Sequence, residues 1–272
     1  MQKNEVRVGV FDSGIGGLTV LRECAALLPQ AAFYYLGDNF RAPYGGRSKE
    51  EIRRLAAEAM EEFAALKIDA AVLACNTVTA VCAEELRKRC SFPVVGMEPA
   101  VKLAARSCSR ALVLATPRTI ESDRLRRLVL ECPNCEFTLR ALPDLARAVE
   151  RAAIYGEPLD LSAHLPDAEG AEGVVLGCTH YVYFSDQIST FYQKPVFDGN
   201  FGTARQLALL VNGLKSVNVG TEIHQLPQAK NKHMYEKPKT KGENHVFFLG
   251  KAAELNKKVY FRTFVSQKIK NY

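Results

Sequence analysis

Two short stretches of the chain nearly repeat each other, and each delivers a cysteine. They are Ala70-Ala71-Val72-Leu73-Ala74-Cys75-Asn76-Thr77 and Gly173-Val174-Val175-Leu176-Gly177-Cys178-Thr179-His180. In both, an apolar run ends in a small residue, a cysteine and two side chains that hydrogen-bond. A short bounded run of this kind reads as a parallel strand buried on both faces. Open α/β sheets gather their chemistry at the carboxyl ends of such strands. Either cysteine alone reads as a small core hydrophobe. Repeated context, one in each half of the chain, points instead to two matched acid/base groups acting on one substrate from opposite sides.

The surrounding pattern supports two such sheets. Strands are predicted over 6–11, 32–36, 70–74 and 93–96, separated by helices over 17–28, 48–66 and 79–89. Ser48 with Glu51 forms a capping-box signature for the second of these. The alternation restarts with strands over 111–116, 136–141, 173–176 and 195–198. Helices are predicted over 99–107, from Thr119 with Ser122 on the outer face, over 143–155 and over 203–214. This is an α/β class with mainly parallel sheets. Polar strand-end turns fall at Asp12, Thr77, Thr116 and Thr179. If the two cysteine segments occupy matching places, a pseudo-two-fold axis brings both thiols to one cleft. The expected units are residues 1–97 with about 210–272, carrying Asp12 and Cys75, and 98–209, carrying Cys178 and His180. A final strand over 246–249 and a closing helix over 251–264 are expected to pack back on the first unit.

Composition excludes several classes. The chain has 272 residues, 47% hydrophobic and 24% charged, as for an ordinary folded core. No apolar run approaches the ~20 residues of a membrane span. The first residues lead straight into a strand with no signal-peptide pattern, so a cytoplasmic protein is expected. All eight cysteines lie at or before Cys178 and are expected to be thiols. Cys132 and Cys135 have CxxC spacing, but no second pair or nearby histidines complete a zinc set, so a turn is the better reading. The net charge of +6 arises from the segment beginning at Ser216, which carries 11 Lys/Arg against 4 Asp/Glu. Its cations alternate with Pro, Gln, Asn and Glu, without aromatic interleaving. A solvated segment is expected, not a nucleic-acid surface.

The first strand ends in Phe11-Asp12-Ser13-Gly14-Ile15-Gly16-Gly17. A glycine-rich turn between strand and helix lets backbone N–H groups approach an anion. The spacing is not a dinucleotide fingerprint, and Asp12 would repel a pyrophosphate. A small molecule bearing carboxylate and ammonium fits better, with Ser13 and backbone amides at one end and Asp12 at the other. A helix-capping Asp12 is the plain structural alternative.

Taken together with Pro43-Tyr44-Gly45, Ala74-Cys75-Asn76-Thr77 and Gly177-Cys178-Thr179-His180-Tyr181, this loop resembles the glutamate racemases. These belong to the cofactor-independent aspartate/glutamate racemase superfamily. The resemblance runs from residue 6 to about 214. It implies two three-layer α/β units facing a buried site, no cofactor or metal, and conversion of L-glutamate to D-glutamate for peptidoglycan. It implies Cys75 and Cys178 as the proton-transfer pair, Asp12 assisting Cys75, His180 assisting Cys178, and Glu150 as a further acid near Cys178. Ser13, Pro43, Tyr44, Gly45, Asn76, Thr77, Thr116 and Thr179 would hold the substrate. A homodimer is the expected assembly. Two departures stand out: Val182 replaces an expected proline, and Thr116-Pro117-Arg118-Thr119 lacks an expected glycine.

Thiols suit this chemistry. Racemisation removes the Cα hydrogen and returns a proton to the opposite face, so one group must be thiolate while the other is thiol. An ordinary thiol pKa of about 8.5 keeps both forms accessible. Three other readings share some features: an aspartate-specific relative, a non-catalytic amino-acid-binding protein, and a redox or metal protein built on Cys132 and Cys135.

Overall fold

β1 (Arg7–Asp12) is buried along all but its first residue, as a strand must be when helices cover both faces of its sheet. The computed structural model describes residues 6–168, 170–218 and 259–263. Around β1 stand β2 (Ala32–Gly37), β3 (Ala70–Leu73), β4 (Val94–Gly96) and β9 (Val259–Thr263), in the order β4-β3-β1-β2-β9. The second sheet contains β5 (Arg110–Ala115), β6 (Glu136–Ala141), β7 (Gly173–Gly177) and β8 (Val196–Asp198), in the order β6-β5-β7-β8. All described strand pairs are parallel.

Apart from β9, the two sheets have the same topology. Each has a founding central strand with the second strand of its unit on one side and the third, then fourth, on the other. β3 and β7 are therefore equivalent strands, and these are the two that precede Cys75 and Cys178. Register completes the match. Phe11 lies opposite Leu73, which brings the end of β1 beside Cys75. Ala115 lies opposite Gly177, which brings Thr116 beside Cys178.

The helices are α1 (Leu18–Leu27), α2 (Lys49–Ala65), α3 (Asn76–Arg89), α4 (Val101–Ala104), α5 (Pro117–Ile120), α6 (Asp123–Leu130), α7 (Leu145–Tyr155), α8 (Ser185–Tyr192) and α9 (Asn200–Asn218). Strand alternation splits each core in two. Val8, Val10 and Val72 face Leu21 and Cys24 of α1 and Leu207 and Val211 of α9. Phe11, Ala71 and Leu73 face Leu55 and Phe63 of α2 and Val78 of α3. Leu112, Leu114, Val174 and Leu176 pack with α7 and α8. Val113 and Val175 pack with α4 and α6. The result is two three-layer α/β units, as expected from the sequence. α9 contributes buried Ala204, Leu207, Ala208 and Val211 to the core of the first sheet.

Several local readings are corrected. Residues 259–263, placed in a closing helix, form β9, which runs parallel to β2; Val-Tyr-Phe-Arg-Thr has the β-branched and aromatic content that suits a pleated surface. The strand expected over 246–249 lies outside the described residues. α3 starts at Asn76, three residues early. The helix expected from Thr119 is broken into α5 and α6, with Ser122 between them. Ser122 is not on an outer face: it is buried, donates to the Thr119 carbonyl at 2.7 Å and accepts from the Leu125 N–H at 3.1 Å. It is the N-cap of α6. At α2 the Ser48 arm of the capping box forms, at 3.1 Å, while the Glu51 side chain pairs with Arg47.

Cys132 and Cys135 close a turn, Cys135 N–H donating to the Cys132 carbonyl at 3.1 Å. Both are free thiols in the core beneath β5, and burial pushes the Cys135 thiol up. No group of three or more metal-binding side chains occurs among the described residues.

Ser122→Ala removes a buried cap and leaves the Thr119 carbonyl without its hydroxyl donor. A loss of about 1–2 kcal/mol is expected. In urea unfolding this shows as a lower midpoint with an unchanged slope; an unchanged midpoint would show that Ser122 does not cap α6.

Candidate active site

Parallel strands bring the polar ends of β1, β3, β5 and β7 to one edge of each sheet, and the two edges meet. Cys75 caps α3 and Cys178 follows β7. Both are nearly buried, at 5% and 6% exposure. The cysteine loops reach across reciprocally. Thr77, after Cys75, shares a hydrogen bond of 2.9 Å with Thr116 at the end of β5. Thr179, after Cys178, donates to Asp12 at the end of β1, at 3.2 Å.

The glycine loop is shaped by close approach to the second unit. A Cβ at Gly14 would lie 1.7 Å from a Glu150 oxygen, and one at Gly16 would lie 2.4 Å from the Thr179 hydroxyl. Only glycine permits this contact. The loop is then fastened: Gly14 N–H donates to Asp12 at 2.7 Å, and Ile15 N–H to Glu150 at 2.8 Å. The Tyr35 and Tyr183 hydroxyls donate to the Gly14 and Ile15 carbonyls at 2.6 and 2.7 Å.

Glu150 projects from α7 and is buried. It also accepts from Asn39 at 3.3 Å and pairs with His180 Nε2 at 2.6 Å. The other ring nitrogen, Nδ1, lies 3.8 Å from the Cys178 sulfur. His180 sits on a 3-10 helix over Thr179–Phe184. That element was absent from the sequence reading, since His-Tyr-Val-Tyr-Phe carries no helical apolar spacing. Burial works against charge on His180, yet bonds to Cys178 and Glu150 prevail and raise its pKa well above the ordinary value. The direction of this shift favours the charged ring.

Around Cys75 the balance is reversed. Burial and then the Asp12 charge push its thiol up to about 12; the Val78 N–H and the Ser13 hydroxyl act against them. Ser13 Oγ lies 3.7 Å from the Cys75 sulfur. Asp12 does not bond Cys75. Its carboxylate is held by Gly14 and Thr179, and burial raises its pKa.

Asn76 is the open position. It is 3% exposed, and neither its amide nitrogen nor its oxygen has a partner. Buried amides are normally satisfied, and this one follows Cys75 directly in the chain. Pro43, Tyr44 and Gly45 form the adjoining loop. Pro43 follows a cis peptide bond, and Tyr44 is buried with its hydroxyl on Asp38. A Cβ at Gly45 would lie 2.7 Å from Thr116. Asn39 and Asp38 were not foreseen as neighbours of the site; their only sequence signal is proximity to the Pro43-Tyr44-Gly45 loop.

The chain is similar to known proteins. A family model for Asp/Glu/hydantoin racemases matches residues 17–207. A glutamate racemase of Halothermothrix orenii is 37% identical over 230 residues, covering 79% of this chain and 90% of that protein. The chain belongs to the Asp/Glu/hydantoin racemase family. As a member it is an amino-acid racemase, an isomerase. Among solved relatives in this family, a glutamate racemase isoform of Bacillus anthracis is 30% identical with a TM-score of 0.65, covering 78% of this chain and 84% of its own. The Escherichia coli glutamate racemase, crystallised with L-glutamate and an activator, is 27% identical with a TM-score of 0.72, covering 94% and 97%. Among the described residues, no helix is long and apolar enough to cross a membrane.

The raised His180 pKa carries a sign. Its charged pair stabilises the fold fully below the unfolded value of about 6.5, and this contribution is lost as pH rises through the folded value. The stability gap between the wild type and His180→Asn is expected to be largest at about pH 6 and to narrow in alkali. Urea unfolding across pH measures it; a gap that widens with pH would contradict the ion pair.

Proposed function

We propose that this racemase interconverts L- and D-glutamate by a two-base transfer at Cα, using Cys75 and Cys178 and no cofactor. The observation that carries this reading is the placement of two thiols after equivalent strands, with an unsatisfied Asn76 next to Cys75. The glutamate racemase names of its relatives support the substrate. The product would supply peptidoglycan synthesis, and the proposed assembly is a homodimer.

The chain's own residues divide the work. Asp12 takes the substrate ammonium, which offsets the burial that raises its pKa. The same cation offsets the Asp12 charge at Cys75, removing one cause of that thiol's raised pKa. Asn76, Ser13, Thr77, Thr116 and Thr179, with backbone N–H groups of the glycine loop, receive the carboxylates. Fixed donors of this kind stabilise charge developing on the α-carboxylate as the proton leaves. Tyr44 and Gly45 close the site beside them.

Burial and the Asp12 charge favour the protonated form of Cys75. The His180 imidazolium, oriented by Glu150, sits where it offsets negative charge on the Cys178 sulfur. Cys178 is therefore placed to accept the Cα proton while Cys75 delivers one to the opposite face. The product leaves the two thiols in exchanged protonation states, which is the form that runs the reverse reaction.

Purified protein incubated with L-glutamate, without pyridoxal phosphate, nucleotide or metal, is expected to yield D-glutamate by chiral chromatography. Cys75→Ser and Cys178→Ser are each expected to lower kcat by about 10²–10⁴-fold in both directions, since a hydroxyl is a far weaker acid than a thiol. Turnover of aspartate in place of glutamate would overturn the substrate. Near-normal turnover in either variant would overturn the paired thiols.

A further inference from the structure

The site residues are almost entirely enclosed, with Ser13, Cys75, Asn76, Cys178 and Thr179 all at 6% exposure or less. A ligand enters only if one edge between the two units parts. One edge is closed by the buried Glu150, bonded to His180, Ile15 and Asn39. The other is closed by the loop carrying Tyr44 and Gly45 against α5.

This second edge depends on Arg118. Its Nε donates to the Arg47 carbonyl at 2.7 Å, and its backbone N–H to the Gly45 carbonyl at 3.3 Å. Nη1 is steadied by Glu121 at 2.8 Å. On its own side the loop is braced without help from the second unit. Arg47 donates to the Arg41 carbonyl through Nε and Nη2, at 3.0 and 2.6 Å. Asp38 takes the Tyr44 hydroxyl and Arg41 Nε, the latter at 2.6 Å. The loop is thus a rigid flap on the first sheet, and Arg118 is the side chain that ties it to the second. The Arg118 side chain is 29% exposed, and its partner across this edge is the Arg47 main-chain carbonyl, which water satisfies when the bond breaks. Breaking the Glu150 edge strands a buried carboxylate, which is far costlier.

We infer that Arg118 is a positioning residue that latches the Tyr44–Gly45 flap over the site, and that substrate passes through this edge when the latch releases. The inference rests on the cleft being the substrate site.

The accessibility of the site thiols tests it without turnover. Iodoacetamide labelling of Cys75 and Cys178 is followed by peptide mass spectrometry, with Cys24 as reference. Cys24 is a fully buried thiol in the core of the first sheet, which reports unfolding and not opening. In Arg118→Ala, Cys75 and Cys178 are expected to label about two- to tenfold faster, as for the loss of one hydrogen bond, while Cys24 is unchanged. Arg118→Lys, which keeps a donor, is expected to fall between. Unchanged labelling of the site thiols in Arg118→Ala would overturn the latch. So would a parallel rise at Cys24, which would make Arg118 a general stabiliser. Because no racemisation is measured, a failed latch and a failed substrate assignment give separate results.

Discussion

Glu150 is the group on which the site's geometry depends. A carboxylate with 6% exposure must be fully bonded or it is strongly destabilising. It meets this demand by drawing in three partners from separate parts of the chain: the Ile15 amide, the Asn39 side chain and the His180 ring. Two of these belong to the first sheet and one to the second. Satisfying one buried charge therefore fixes how the units meet. It also sets the position of the glycine loop, and with it Asp12 and Ser13. The glycines at 14 and 16 follow from that approach, since any side chain there would collide with Glu150, Thr179 or His180.

The same pair makes the two halves chemically unequal although their topology matches. Cys178 has beside it an imidazole whose pKa is raised; Cys75 has a buried carboxylate nearby and an unpartnered amide. Equivalent strands thus place two identical side chains in opposite electrostatic settings. The proposed mechanism uses this inequality, since it requires one thiol charged and the other neutral at each turnover. A symmetric site would leave two like charges or two protons to be sorted before reaction could begin.

Much of this was legible in the sequence, for identifiable reasons. Strands β3 and β7 are buried on both faces, so their apolar runs are uninterrupted and their ends sharp. The repeated cysteine segments then mark equivalent strands, which the common sheet order bears out. Glu150 was reached through resemblance alone; it is the single acid of α7, with nothing local to distinguish it from a solvent-facing one, and its burial depends on contacts with loops more than a hundred residues away. The Asn39 bond was hidden for the same reason. Ser122 was misread because an N-cap and an exposed serine look alike when the preceding helix is a single short turn. The 3-10 helix carrying His180 lacks apolar periodicity, and β9 lies in a Lys-rich segment whose composition masks a five-residue strand.

The proposed mechanism assigns two different thiols to the two faces of Cα. Racemisation of protiated L-glutamate in heavy water tests it most directly, with deuterium at Cα read by mass spectrometry early in the reaction. The D-product is predicted to carry deuterium while unreacted L-glutamate stays largely protiated, because the departing proton and the arriving deuteron belong to separate groups. Exchange of the L-substrate as fast as, or faster than, formation of the D-product would show one base working both faces, and would contradict the account.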